Sequence, residues 1–169
     1  MTEEMSSAIP TKILVPIDFS PSSHAALESA AALAAKFGAE VLMLHVIPQF
    51  PSGSLPDSIN EAAIVENARA EAERMLGLSQ AGLAAKGISA AALVENGTDI
   101  AGNIIDAIER EKADMLVIST HGISGWYPLV FGSIAEKVVK LAHCPVLLLR
   151  TPKPESSAMV PFGRSMVWW

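Results

Sequence analysis

Hydrophobic positions along this chain alternate between two patterns. Short, nearly continuous apolar runs are separated by longer stretches in which apolar residues recur every third or fourth position. Ile13 to Ile17 is the first run, β-branched and unbroken, which predicts a strand buried on both faces. Pro16 lacks a ladder donor and is placed at the strand's end. Ser20 and Pro21 read as the cap and first residue of a helix carrying Ala26, Leu27, Ala30, Leu33, Ala34 and Phe37, stopped by Gly38. Val41 to Ile47 is the second strand. Residues 48 to 60, rich in Pro, Ser and Gly, read as a loop. An Ala- and Glu-rich helix follows from Glu61 to Ala85, with a break expected near Gly77 and an end at Gly87.

The alternation continues. Ala90 to Val94 is a weaker third strand, and Asn96-Gly97-Thr98 is expected to turn into a helix carrying Ile100, Ile104, Ile105 and Ile108. Asp114 to Ser119 holds the fourth strand. Ser133 and Glu136 have the spacing of a capping box for a helix with Val138, Val139 and Leu141. Pro145 precedes the fifth strand, Val146 to Leu149. Strands alternating with helices predict an α/β fold, a parallel sheet with helices on both faces. No internal repeat is visible. The organisation expected is a tail over 1–11, one domain over 12–150 and a second tail over 151–169.

Composition narrows the function. The chain has 12 basic and 18 acidic residues, a net charge of −6, 50% hydrophobic residues, 18% charged residues and one cysteine. An acidic chain without a Lys/Arg cluster is a poor nucleic-acid ligand. The apolar runs are too short to cross a bilayer. The polar, acidic start lacks the charge and apolar stretch of a signal peptide, so a cytoplasmic protein with no nucleic-acid or membrane partner is expected.

Catalytic and metal motifs are weak. Gly97 and Gly102 have the glycine spacing of a Walker loop, but Asn103 stands where the lysine is required. His24, His45, His121 and His143 show no ligand spacing. They read as helix-surface, strand, loop and helix-end residues. Cys144 precedes a buried strand and reads as a small apolar filler.

The chemistry concentrates between Ser119 and Ser133. Gly122 and Gly125 permit close backbone approach, and Gly132-Ser133 opens a helix whose first N–H groups and dipole favour an anion. Asp18 holds the matching place after the first strand. Ligands of open parallel sheets sit outside the carboxyl ends of the strands where strand order reverses. This points to nucleotide or phosphate binding, against the alternative of a glycine-bearing turn followed by an ordinary cap.

Lys12 to Ser20, Leu44-His45-Val46, Thr120-His121-Gly122 through Gly132-Ser133, and Cys144 to Arg150 together resemble the universal stress protein family over residues 12–150. The resemblance implies an open, Rossmann-like five-stranded parallel sheet of order 3-2-1-4-5. It implies an ATP site in which Pro16, Asp18 and Val46 surround adenine and Ile118, Ser119 and His121 approach the adenosine. Gly122, Gly132, Ser133 and Ile134 hold the phosphates. Ser119 replaces the first glycine of the family's Gly-x-x-Gly-x9-Gly-Ser/Thr loop. The loop carries no Lys or Arg, so Mg²⁺ or Mn²⁺ is expected with the nucleotide. Trp126 and Tyr127 are placed to cover the pocket or stack on a partner.

The resemblance also implies a homodimer through the fifth strand, an apolar edge in that order. Tail residues such as Met159, Phe162 and Trp168 are expected against the same surface. The function expected is a nucleotide-dependent stress-response protein acting on an unidentified protein partner. The alternative is a nucleotide-free scaffold or chaperone-like protein. No catalytic residue is identifiable, and any hydrolysis is expected to be slow.

Overall fold

The computed structural model describes residues 9–49, 56, 60–120 and 132–150. Five strands and four helices follow one another as β1 (Lys12–Pro16), α1 (Pro21–Phe37), β2 (Glu40–Pro48), α2 (Glu61–Ala85), β3 (Ala90–Gly97), α3 (Ile100–Glu111), β4 (Met115–Ser119), α4 (Ser133–Leu141) and β5 (Val146–Leu149). The strands form one parallel sheet of order β3-β2-β1-β4-β5, as expected. Most of the 48–60 loop, the stretch holding His121, Gly122, Trp126 and Tyr127, and both tails lie outside the described residues.

Side chains of a strand alternate between faces, and here both faces are covered. Ile13 and Val15 of β1, Val41 and Met43 of β2 and Val117 of β4 pack against Ala26, Leu27, Ala30 and Ala34 of α1 and Leu76 and Leu83 of α2. Leu14, Leu42, Leu44, Leu116 and Ile118 face the other way, onto Ala101, Ile104 and Ile108 of α3 and Ala135 and Val138 of α4. Central β1 is sealed: Ile13, Leu14 and Val15 are fully buried. Burying each such side chain stabilises the fold by roughly 1.5–3 kcal/mol.

Pairing within the sheet is uneven. β1 runs beside β2 over its whole length, from Lys12↔Glu40 to Pro16↔Leu44. Its ladder with β4 holds only Ile13↔Met115 and Leu14↔Leu116. Beyond Leu14 the chain goes with β2, where the Ile17 amide donates to the Leu44 carbonyl at 2.8 Å. β4 goes with β5 through Ser119↔Leu149. The sheet therefore opens between its first and fourth strands at their carboxyl ends.

Three expectations are corrected. Asn96 and Gly97 belong to β3, which pairs with β2 as far as Pro48↔Gly97. A side chain at Gly97 would collide with Asn103, so the glycine serves a close approach and no phosphate loop. α2 is continuous through Gly77, because its neighbours are strong helix formers and outweigh a glycine cost of about 1 kcal/mol. Ser133 does not cap α4. Gly132 is the cap residue, with no side-chain cap bond, and Glu136 pairs with Lys140 at 2.7 Å instead of closing a box.

The amino-terminal side of the sheet is held by Asp114. Its carboxylate accepts from the Thr11 amide and hydroxyl, at 2.9 and 2.6 Å, and from the Lys12 amide at 2.9 Å. Burial pushes its pKa up, but the hydrogen bonds from Thr11 and Lys12 outweigh that and leave it below the ordinary aspartate value. A depressed folded pKa means stability that is present above the unfolded value and lost as pH falls through the folded one. Asp114→Ala should cost about 1–3 kcal/mol in urea unfolding at pH 7. The gap should narrow as pH drops below about 4. A gap unchanged across that range would show that the carboxylate's charge is irrelevant.

Candidate functional site

Where β1 and β4 part, a cleft of about 370 Å³ opens at the carboxyl edge of the sheet. Its volume falls in the range of small-molecule sites. One wall is apolar: Pro16 of β1, Leu44 and Val46 of β2, Ile100 and Ile104 of α3, and Ile118 of β4. Asp18, Ser119 and the start of α4, Gly132 to Ala135, add polar groups to the lining. Thus Pro16, Asp18, Val46, Ile118, Ser119, Gly132, Ser133 and Ile134, drawn from distant parts of the chain, meet at one cavity. The two other expected site residues, His121 and Gly122, lie outside the described residues.

The loop after β1 is shaped by Asp18. Its Oδ1 accepts from the Ser20 amide at 3.0 Å and from the Ser20 hydroxyl at 2.5 Å. This side-chain turn holds Phe19 at φ 60°, a left-handed conformation that is unfavourable for an aromatic residue. Phe19 packs in a tilted contact on His45, with ring centroids 4.6 Å apart. Ser20 in turn caps α1 by accepting from the Ser23 amide at 3.1 Å. Asp18 thus supports the cap rather than forming it.

Helix starts differ in how they are closed. Ser20 caps α1, Asn60 caps α2 and Asp99 caps α3, each with a side-chain oxygen on a first-turn amide. α4 has no such cap. The Gly132 amide donates to the Thr120 carbonyl at 2.9 Å, so it is spent on joining α4 to β4. Among the described residues, nothing accepts from the amides of Ser133, Ile134 and Ala135. All three residues line the cleft, so a helix start with unmatched donors faces it.

Sequence reasoning passed over several lining residues. His45 was read as a plain strand residue. It borders the cleft, and its Nδ1–H donates to the Ile17 carbonyl at 2.7 Å, which leaves Nε2 as the acceptor of the neutral ring. The sequence places Ile100 and Ile104 only on a helix, although the start of α3 must lie at the same sheet edge as the start of α4 in a parallel fold. Thr120, almost fully buried, anchors Gly132. No Lys or Arg is among the described lining residues. Among the described residues, no group of three or more His, Cys, Asp or Glu side chains could hold a metal ion. Cys144 is half-buried against the α3/α4 face, and burial pushes its thiol pKa up, as suits a filler. His24 and His143 are exposed.

Residues 10–150 match the family model described as the Universal stress protein family. A universal stress protein of Methanocaldococcus jannaschii is 33% identical over 144 residues, covering 85% of this chain and 84% of the relative. A solved structure of another protein of that organism, also a universal stress protein, superposes with a TM-score of 0.76 at 25% identity, covering 86% of this chain and 99% of the other. Two more distant structures share the fold. A universal stress protein in complex with cAMP has a TM-score of 0.63 at 19% identity, covering 85% and 98%. One from Archaeoglobus fulgidus in complex with dAMP has a TM-score of 0.59 at 22% identity, covering 83% and 98%.

The contact at Gly132 makes a specific prediction. A Cβ there would lie 3.2 Å from the Thr120 carbonyl, whereas one at Gly77 in α2 meets nothing within 4 Å. Gly132→Val should destabilise by about 1–3 kcal/mol through overpacking. Gly77→Ala should stabilise by about 0.4–1 kcal/mol. Urea unfolding of both variants checks the pair, and a neutral Gly132→Val would remove the tight joint between β4 and α4.

Proposed function

The chain belongs to the universal stress protein family, and on that footing we propose that it binds ATP in the cleft between β1 and β4. The observation that carries this reading is the pairing of an apolar slot with a helix start that, among the four described helices, alone has no side-chain cap. Leu44, Val46, Ile104 and Ile118 offer flat apolar walls to a base. The amides of Ser133, Ile134 and Ala135 offer donors to phosphate, and the dipole of α4 adds roughly 0.3–1 kcal/mol per favourable charge. Asp18 stands at the base end as an acceptor for an exocyclic amino group.

Triphosphate charge exceeds what one helix start can match in an acidic protein. Mg²⁺ or Mn²⁺ arriving with the nucleotide would neutralise the remainder, held by phosphate oxygens and water. No described residue is placed as a general base, arginine finger or Walker lysine, so any hydrolysis is slow in this reading. The cyclic and deoxy adenosine monophosphates in the related structures agree with an adenine pocket.

The wider role proposed is a nucleotide-dependent, partner-binding dimer of the cytoplasm. No described helix is long and apolar enough to cross a membrane. β5 is the edge of the sheet, only half-buried, and Leu147 is 36% exposed. Exposed Val139 and Leu141 of neighbouring α4 extend the apolar surface. An edge of this kind favours pairing with a second copy. Light scattering should give twice the 17.8 kDa chain mass; a monomer at micromolar concentration would contradict the dimer.

Ser119 tests the nucleotide reading. Val117 faces α1 and Ile118 faces α3, so by alternation Ser119 belongs to the α1 side of the cleft it lines, opposite the wall formed by Ile118 and Ile104. Titration calorimetry should therefore show Mg-ATP binding by the wild type. Ser119→Gly should shift the affinity by less than about tenfold, ~1.4 kcal/mol. A silent wild type beside a binding Ser119→Gly would instead support the nucleotide-free scaffold.

A further inference from the structure

We infer that Lys137 is the cation of the phosphate end of the cleft, held on Asp99 until a nucleotide with a long phosphate chain draws it away, so that it selects ATP over AMP. The inference rests on the nucleotide reading above. Lys137 Nζ lies 2.6 Å from Asp99 Oδ2, bridging α4 to the start of α3. Asp99 immediately precedes Ile100, and Lys137 follows Ser133 by four residues; Ile100 and Ser133 both line the cleft. The ion pair therefore joins the two helix starts that flank the opening.

Helix geometry favours the transfer. Residues four apart share a face, with a rise of about 6 Å, and side chains lean toward the amino terminus. From the second turn of α4, Lys137 leans back over Ser133, where the unmatched amides lie. The other lysine near this end, Lys140, is one turn further away and engaged with Glu136.

Energetics allow the exchange. Both partners are half-exposed, with 50% and 55% of their side-chain surfaces open. Exposed pairs contribute little, so leaving Asp99 costs little. Asp99 does not depend on the lysine for its other task, since its Oδ1 caps α3 by accepting from the Gly102 amide at 3.1 Å. A phosphate chain offers more charge than one carboxylate and several acceptor oxygens. AMP, one phosphate long, ends at the amides and leaves Lys137 on Asp99.

The test is calorimetric titration of Mg-ATP and AMP into the wild type, Lys137→Met and Asp99→Asn. Methionine keeps the stem and helix propensity of lysine, and asparagine caps a helix as well as aspartate. Lys137→Met should weaken ATP about fivefold or more, the loss of a charge-assisted contact, with AMP changed less than about twofold. Asp99→Asn should tighten ATP, because Lys137 no longer has a competing partner. An ATP/AMP ratio untouched by Lys137→Met would overturn the inference. So would equal weakening of ATP in both variants, the mark of a bridge that only braces α3 against α4. A wild type silent to both nucleotides would overturn this inference together with the nucleotide reading; a binding wild type with an unaltered ratio in Lys137→Met overturns this inference alone.

Discussion

The short ladder between β1 and β4 is the constraint on which the site depends. Two residue pairs, Ile13↔Met115 and Leu14↔Leu116, hold the centre of the sheet together. Past them each strand follows its outer neighbour. Pro16 cannot donate to any ladder, and Thr120 turns its amide to the Leu149 carbonyl of β5. A sheet that reverses its strand order must open at this point, because the connections leaving β1 and β4 cover opposite faces. The apolar slot is thus a consequence of the same burial that makes Leu14 and Leu116 inaccessible.

The helix starts around this opening then divide the work. α1 is closed by Ser20, itself steadied by Asp18, and α3 is closed by Asp99. These starts satisfy their own first-turn amides and spend part of their dipoles on oxygens of the chain. α4 begins at a glycine pressed against the Thr120 carbonyl, where a side chain would be crowded. A glycine has no side-chain oxygen with which to cap, so tight packing at the joint and the lack of a side-chain cap on the first-turn amides have one cause. The anion binding proposed for this edge would draw on what the start of α4 lacks. The nearby positive charge is kept on Asp99, at a distance that leaves the slot apolar.

Most of the fold was legible because its signals are local. Apolar strands of four to nine residues, Ser20-Pro21 before α1 and Gly38 at φ 71° after it are written in adjacent residues. The order of the strands is not local, and it came from the resemblance. The errors also have physical reasons. Asn96-Gly97 has turn chemistry, but strand β2 and the Arg69 guanidinium, which donates to Asn96 Oδ1, supply partners that hold it extended. Ser133 and Glu136 have the capping-box spacing, but Gly132 is fixed by Thr120 one residue earlier, which moves Ser133 into the helix. For the site, Pro16, Val46 and Ile118 could be placed at the cleft once the topology was known. His45, Ile100 and Ile104 could not be told from ordinary core residues by pattern. The Lys137–Asp99 bridge joins residues 38 apart and left no mark on the sequence.

The central claim is that the uncapped start of α4, beside the apolar slot, receives the phosphate of an adenine nucleotide. Amide NMR of the labelled full chain during addition of Mg-ATP addresses it directly. The account predicts that the largest shifts fall on Ser133, Ile134 and Ala135, accompanied by Val46 and Ile118, while Ala63 at the capped start of α2 stays in place. Shifts centred on the β5 edge with Ser133 to Ala135 unmoved, or no shifts at all, would contradict it.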